Sequence, residues 1–196
     1  AIANFFSPGD TIASFTCGEF GQRWAEIGRR YGLNVIETRF PVGTAVKVAK
    51  VIEVINKEKD LKVVLVTHNE TAIGVTNNIR EIAKVVKKHQ NKPLLLVDSI
   101  SALGAVNLAM DKIGIDVLVS ASQKAWMCPP GIAMIAVSEK AWLAQQKSKL
   151  PKYYFDLELY KEYSLKNQTP ATPAISTIIA LQKSLELMLK EGRDNL

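Results

Sequence analysis

The sequence predicts an α/β fold in which a mostly parallel β-sheet lies between two layers of helices. Short apolar runs rich in β-branched residues alternate with longer segments of helical periodicity, and this alternation is typical of βαβ units. Several runs are apolar without interruption, such as Val63-Val64-Leu65-Val66, which indicates strands covered on both faces. Together these two observations predict a three-layer α/β/α architecture.

Length and composition exclude several classes of protein. The chain has 196 residues, of which 47% are hydrophobic and 22% are charged, as in ordinary globular proteins. No apolar run approaches the roughly 20 residues needed to span a bilayer, and the first residues lack the basic and apolar pattern of a signal peptide. We therefore expect a cytoplasmic protein that makes no contact with a membrane.

The net charge of +6 does not by itself predict a nucleic-acid partner. The lysines lie mostly at helical spacing, as in Lys84, Lys87 and Lys88, which is typical of solvated helix faces, so we expect no nucleic acid. Cys17 and Cys128 are far apart and fit no CxxC motif, so we expect small core residues in a reducing compartment. The two histidines lack the spacing of metal ligands, and no metal site is predicted.

The boundaries of the predicted elements follow from these patterns. Strands are predicted at residues 11–17, 34–39, 61–67, 94–99, 117–120 and 132–137. Helices are predicted at residues 21–31, 44–56, 79–89, 138–147 and 174–190, with Thr44 and Ser138 as caps, and residues 1–6 are predicted to be the tail of a buried helix. Residues 153–163 form an aromatic stretch of mixed charge. We expect one domain at residues 1–150, followed at 151–196 by a connection and a long helix.

The residues that directly follow the predicted strands are the candidate functional residues. In open α/β sheets, ligands bind outside the carboxyl ends of the strands. Four segments follow predicted strands. In chain order, the first is aromatic and glycine-rich, the second is polar, the third contains a carboxylate and the fourth contains a lysine. These segments are Gly18-Glu19-Phe20-Gly21, His68-Asn69-Glu70-Thr71, Asp98-Ser99-Ile100 and Ser122-Gln123-Lys124.

This set of side chains matches the needs of pyridoxal 5′-phosphate (PLP) chemistry. The amine of Lys124 can form a Schiff base with a carbonyl compound, and the carboxylate of Asp98 can face a pyridine nitrogen. Phe20 can cover a ring face, and Thr71 and Gln123 can bond the ring hydroxyl or the phosphate. Taken singly, Asp98 is equally consistent with a cap of the next segment, Phe20 with a core residue and Lys124 with a surface lysine.

Other sites and chemistries have weaker support in the sequence. Nucleotide-binding motifs of the GxGxxG and GxxxxGK[ST] types do not occur, nor does the GxSxG turn of the α/β-hydrolases. His68 is expected to be a hydrogen-bonded structural histidine rather than a base, and Trp24 and Trp126 are expected in the core or at an interface.

The motifs resemble the class V aminotransferases of PLP fold type I, most closely their alanine–glyoxylate and serine–glyoxylate branch. The resemblance covers essentially the whole chain, and it depends on the order and spacing of several segments. These are Gly18-Glu19-Phe20-Gly21-Gln22-Arg23-Trp24, His68-Asn69-Glu70-Thr71-Ala72-Ile73-Gly74-Val75, residues 95–104 around Asp98, and residues 114–131 around Lys124. The resemblance implies that residues 1–150 are the large, PLP-binding domain of that fold.

The resemblance also implies a role for each matching position. Lys124 is similar to the lysine that holds PLP as a Schiff base and moves the substrate's Cα proton, and Asp98 to the partner of the pyridine nitrogen. Phe20 matches the aromatic residue that stacks on the ring, and Ile100 matches an apolar contact on the opposite face. Thr71 matches a hydroxyl residue near the ring oxygen.

Two further positions concern the phosphate. Gln123 matches a phosphate contact within one subunit. Homodimers of the family bring a threonine from the neighbouring subunit to the phosphate, and Thr172 matches it, with Thr169 as the alternative. The resemblance further implies that a glycine-rich phosphate segment precedes residue 1 in the parent protein. A small domain with a carboxylate-binding arginine is likewise expected after residue 196.

The expected function is transamination of a small amino acid, alanine or serine, with glyoxylate or pyruvate as the 2-oxo acid. Cysteine desulfurases of class V usually have histidine before the Schiff-base lysine and a stacking histidine, whereas Gln123 and Phe20 occupy these positions here. This difference favours transamination. A desulfurase or lyase reaction, and a non-catalytic subunit that retains the aminotransferase fold, are the alternatives.

Overall fold

The fold is organised around one six-stranded sheet. The computed structural model describes residues 1–192, and the strands follow the order β2-β1-β3-β6-β7-β8 across the sheet, with β4 and β5 forming a separate hairpin. The strands are β1 (Thr11–Thr16), β2 (Asn34–Arg39), β3 (Leu61–Thr67), β4 (Asn69–Glu70), β5 (Val75–Thr76), β6 (Leu94–Asp98), β7 (Val117–Ala121) and β8 (Ala133–Val137). All neighbouring pairs in the large sheet are parallel except β7 and β8.

Helices cover both faces of this sheet. They are α1 (Ile2–Phe5), α2 (Glu19–Arg30), α3 (Val48–Ile55), α4 (Ile79–Lys88), α5 (Met110–Ile113), α6 (Glu139–Gln145), α7 (Leu157–Leu165) and α8 (Ile175–Glu191). Within the described residues, no helix combines the length and the apolar character that crossing a bilayer requires.

Two apolar cores, one on each face of the sheet, explain why the strand sequences are uninterrupted apolar runs. Val64 and Val66 of β3 pack in a cluster with buried residues of α3 and α4. Val63 and Leu65 point to the opposite face and pack with residues of α1 and α6. Because side chains alternate between the faces of a strand, a strand buried on both faces needs apolar residues at every position. The three-layer, mostly parallel α/β/α prediction is confirmed.

Strands β7 and β8, the last two in the strand order, are antiparallel because the connection between them is short. Parallel neighbours need a crossover, usually through a helix, whereas antiparallel neighbours need only a return of the chain. Residues 122–132 between β7 and β8 contain no helix, and β8 returns beside β7 with Val119 opposite Ile135. This short connection contains Lys124.

The predicted start of the second helix is wrong. Helix α3 begins at Val48 rather than after a cap at Thr44. Thr44 instead closes a turn, since its hydroxyl donates to the carbonyl of Pro41 at 2.6 Å and its backbone N–H donates to the same oxygen at 3.0 Å. The hydroxyl is therefore used before the helix starts.

Three short elements and one longer helix were not predicted. The hairpin of β4 and β5 and the single turn of α5 are too short to show a periodicity. Helix α7 lies within the aromatic stretch at residues 153–163 and begins at a cap, where Asp156 accepts from the backbone N–H of Glu158 at 3.1 Å. Residues 193–196, which complete the predicted segment 151–196, lie outside the described residues.

Asn77 is expected to be a major determinant of stability. Its buried side chain accepts from the Val46 N–H at 2.7 Å and donates to the Thr67 carbonyl at 2.8 Å. We expect Asn77→Ala to lower the free energy of unfolding by about 2–3 kcal/mol, because two buried backbone groups lose their partner. The control Asn78→Ala removes only the cap of α4 and should cost about 1 kcal/mol. Equal losses in urea unfolding would contradict this assignment.

Candidate active site

The carboxyl ends of the central strands meet at one edge of the sheet. In the register of β3, β6 and β7, Thr67 lies opposite Asp98, and Asp98 lies opposite Val119. The polar segments that follow these strands, at residues 68–71 and 122–124, therefore leave the sheet on either side of Asp98. This places the predicted segments at a common edge, as the strand-end rule requires.

Asp98 is a buried carboxylate at this edge. Its side chain accepts from the indole N–H of Trp24 at 3.0 Å and from the backbone N–H of Ile100 at 3.0 Å. Burial raises the pKa of Asp98, and the negative charge of Glu70 raises it further, while the two hydrogen bonds act in the opposite direction. Among residues 1–192, no cationic side chain forms an ion pair with Asp98.

Phe20 lies in the first turn of α2, beside the end of β1. Its side chain is half-buried, and the guanidinium of Arg23 lies 5.2 Å from the centre of its ring. Its backbone N–H donates to Glu70 at 3.2 Å, and the next N–H, of Gly21, donates to the same carboxylate at 3.0 Å. The start of α2 is thus attached to the segment that follows β3.

Lys124 lies in the connection between β7 and β8, and its side chain is exposed. The connection is fixed by Ser122, which is fully buried, donates to the carbonyl of Pro129 at 2.7 Å and accepts from the N–H of Ile132 at 3.3 Å. A turn follows in which Met127 N–H donates to the Lys124 carbonyl at 2.9 Å. The lysine is therefore an exposed side chain on a constrained loop.

Helix α8 braces the same loop from the other side. Ser184 donates its hydroxyl to the carbonyl of Trp126 at 2.6 Å, and the thiol of Cys128 contacts the carbonyl of Thr177 at 3.5 Å. The indole of Trp126 in turn donates to the hydroxyl of Ser120 at 2.9 Å. These contacts connect the loop to β7 and to the last described helix.

Three other predicted residues also lie at this edge of the sheet. Ile100 is half-buried next to Asp98, and Thr71 and Gln123 are exposed in their strand-end segments. Exposure leaves the hydroxyl of Thr71 and the amide of Gln123 accessible to a ligand.

Thr172 belongs to a different segment from this group. Thr172 and the alternative Thr169 are both exposed in the connection between α7 and α8. In the described part of the chain, no hydrogen bond joins either threonine to the residues around Asp98. The assignment of Thr172 to a site in a neighbouring subunit stays a prediction.

His68 is a hydrogen-bonded buried residue, as expected. Its Nδ1 lies 3.0 Å from the hydroxyl of the fully buried Ser99, and burial lowers the pKa of the imidazole. Its backbone N–H donates to the Asp98 carbonyl at 2.7 Å. Cys17 and Cys128 are also buried and free, which confirms their assignment to the core. No group of three or more potential metal ligands occurs among the residues that the structure describes.

A separate cleft of about 570 Å³ lies at the opposite edge of the sheet. It is lined by the starts of β3 and β6 and by α6, including Leu61, Leu94 and Lys140. One of its lysines, Lys140, is already paired with Asp116 at 3.0 Å. None of the predicted site residues lines this cleft, so we place the candidate active site at the carboxyl ends of the strands instead.

Trp24 and Glu70 contact the site although the sequence interpretation gave neither a role there. Trp24 lies four residues after Phe20, and this spacing on a helix is the one indication that both face the same way. Glu70 stands in a strand-end segment, but a glutamate is usually exposed, and nothing local indicates that this one is buried.

The comparisons with known proteins agree on one family. The family model described as aminotransferase class V matches residues 1–195. A protein of Anabaena cylindrica named soluble hydrogenase 42 kDa subunit is 42% identical over 100% of this chain and 51% of its own length. The serine–glyoxylate aminotransferase of Arabidopsis thaliana is 35% identical over 100% of this chain and 50% of its own length.

A solved structure supports the same grouping. The alanine–glyoxylate aminotransferase of Nostoc sp. matches with a TM-score of 0.92 at 28% identity, over 99% of this chain and 52% of the other. The match confirms the large-domain fold of the PLP-dependent transferases. The chain spans about half the length of the curated relatives it matches.

Ser122 is expected to control the order of the lysine loop. Ser122→Ala removes both of its hydrogen bonds, so we expect a loss of about 1–3 kcal/mol in stability and faster amide hydrogen exchange at residues 123–128. Ser148→Ala is the matched control, because Ser148 also donates to backbone carbonyls, those of Ala3 and Phe6, but away from the loop. Exchange at residues 123–128 that is no faster in Ser122→Ala than in Ser148→Ala would contradict this assignment.

Proposed function

Because this chain belongs to the class V aminotransferase family, we propose that the full-length protein is a PLP-dependent aminotransferase. Its substrates would be a small amino acid, alanine or serine, and glyoxylate or pyruvate as the acceptor. The serine–glyoxylate and alanine–glyoxylate enzymes among the relatives share glyoxylate and differ in the donor, which supports glyoxylate as the acceptor and either serine or alanine as the donor.

One observation carries the proposal: Asp98 is buried, and its charge has no cationic partner among the described residues. A buried carboxylate is costly unless an opposite charge or several hydrogen bonds compensate it. The protonated pyridine nitrogen of PLP is such a charge, and the carboxylate keeps that nitrogen protonated. The half-buried Phe20 and Ile100 offer apolar ring contacts nearby, so the residues present fit the group.

Each residue then has a defined task. Asp98 binds the pyridine nitrogen, while Trp24 and the Ile100 N–H hold the carboxylate in place. Bound PLP supplies an electron sink that makes the Cα–H bond of an amino acid acidic. Lys124, on its constrained loop, would hold the cofactor through its amine, and its free amine would accept and return the Cα proton of the substrate. Thr71 and Gln123 donate to the ring oxygen and the phosphate.

The proposal extends to the assembly and the location. We place the protein in the cytoplasm as a homodimer, in which Thr172 of one subunit contacts the phosphate in the other. The family resemblance supports the dimer, and light scattering of the full-length protein tests it. Residues 1–150 are assigned to the PLP-binding domain, with residues 151–196 leading to the remainder of the parent protein.

Lys124 is expected to be the lysine that PLP modifies. Borohydride reduction of the full-length protein with PLP should leave a phosphopyridoxyl group on the peptide that contains Lys124, as mass spectrometry detects. Lys124→Ala should abolish this label and reduce transamination by roughly 10²–10⁴-fold, whereas Lys112→Ala, at another exposed lysine, should do neither. Folded protein without label at Lys124 would instead support the non-catalytic alternative.

The affinity for PLP is expected to fall on the acid side. Asp98 binds a pyridinium only when ionised, and burial raises its pKa, so the affinity should decrease as the pH falls through that raised value. The decrease should therefore begin at a higher pH than the titration of an exposed aspartate. Asp98→Asn should bind PLP more weakly and lose this titration, and Asp111→Asn, at an exposed position, should keep it. Equilibrium binding, followed by absorbance between pH 4 and 8, measures the affinity and its pH dependence. We expect Asp98→Asn to lower the affinity about tenfold.

A further inference from the structure

Glu70 is a second buried carboxylate beside the site, and the proposed function gives it no task. Its side chain is 0% exposed. Its two oxygens accept from the N–H groups of Phe20 and Gly21, at 3.2 and 3.0 Å, in the first turn of α2. The positive end of a helix favours a carboxylate at this position. Among the described residues, Glu70 forms no ion pair with a cationic side chain, so its charge is held by the helix start.

The chain leaves room for this carboxylate at Gly18. A Cβ atom at residue 18 would lie 2.5 Å from Cγ and 2.7 Å from Cδ of Glu70, closer than real side chains approach. The backbone of Gly18 is extended, with φ of −175°, so its conformation does not itself require glycine. The glycine is needed for the space that Glu70 fills.

Helix α2 connects the two buried carboxylates. Glu70 holds the helix at Phe20, and one turn later Trp24 donates its indole N–H to Asp98 at 3.0 Å. Residues four apart lie on the same face of a helix, so a shift of its first turn moves both aromatic side chains together. The position of α2 therefore sets where the ring face lies relative to the Asp98 carboxylate.

We propose that Glu70 is a positioning residue, which fixes Phe20 and, through Trp24, Asp98 in one geometry. Glu70 acts on the cofactor site only through these residues, and in this respect the inference rests on the proposed function. The negative charge of Glu70 also acts on Asp98 directly and raises its pKa, in addition to the larger effect of burial.

Other titratable groups surround the pair. His68 donates its backbone N–H to the Asp98 carbonyl, and burial raises the pKa of the Cys17 thiol, with Glu70 adding to that increase. Arg23 lies over the ring of Phe20, and Lys124 follows the neighbouring strand. Among the charged groups near Asp98, Glu70 is the one whose charge raises the pKa of Asp98.

The test follows the Trp24 indole N–H in ¹H–¹⁵N spectra of the full-length protein without PLP. Trp24→Phe assigns its resonance, and a pH titration of that resonance reports the protonation of Asp98, to which the indole is bonded. Glu70→Gln keeps the shape of the side chain but removes the charge. We expect it to lower the titration midpoint, because the charge that adds to the raised pKa of Asp98 is removed, and to weaken PLP binding about tenfold.

Two further variants separate charge from position. Gly18→Ala keeps the charge and displaces the side chain, so it should shift the Trp24 resonance at neutral pH and weaken PLP binding about tenfold. Asp116→Asn, at the opposite edge of the sheet, removes another buried carboxylate that bonds the Leu95 N–H and Lys140, and it should leave the midpoint unchanged. Circular dichroism checks the fold of each variant.

The outcomes are distinct. A folded Glu70→Gln variant with the wild-type midpoint and the wild-type PLP affinity overturns the inference. If Glu70→Gln does not fold, Gly18→Ala decides, and a wild-type resonance with wild-type PLP affinity overturns it. These spectra are recorded without cofactor, so the failure of borohydride labelling at Lys124 would overturn the proposed function separately. In that case a lowered midpoint would still support the coupling of Glu70 to Asp98.

Discussion

The carboxylate of Asp98 is held at the end of β6 by two neutral N–H groups, from Trp24 and Ile100, and burial raises its pKa. Because that pKa is higher in the fold than in the unfolded chain, the contribution of Asp98 to stability is fully present below the unfolded pKa. It is lost as the pH rises through the folded value. Near neutral pH the cofactor-free fold therefore contains a destabilising charge, which a bound pyridinium would offset. The residues around the end of β6 must therefore hold the Asp98 carboxylate in place and still leave it accessible to a ligand.

The sheet was predictable because its sequence pattern leaves little choice. A strand such as β3 is buried on both faces, and only a nearly continuous apolar run satisfies both cores. The positions of Asp98 and Lys124 followed from the same strands, since the carboxyl ends of parallel strands share one edge. Helix α7 was less visible, because none of its residues is buried and its apolar positions do not form one stripe.

The contacts within the site could not be predicted in the same way. Trp24 and Asp98 are 74 positions apart, and no local pattern indicates that one donates to the other. Glu70 is a glutamate at 0% exposure, against the usual preference of this residue for solvent. Its burial depends on the N–H groups of another element and on the missing side chain of Gly18, which only the folded arrangement shows. Tertiary partners, rather than propensity, determine these positions.

Helix α8 gives the lysine loop a dependence on a distant part of the chain. Ser184 and Thr177 contact the loop at Trp126 and Cys128, and the Thr177 hydroxyl lies 3.1 Å from the position of a Cβ atom on Gly131. The loop is thus clamped between the sheet and a helix that begins more than forty residues later. The geometry of the loop therefore depends on the position of α8. A rotation of α8 would displace the loop, so motion that originates outside the sheet would change the position of the Lys124 side chain.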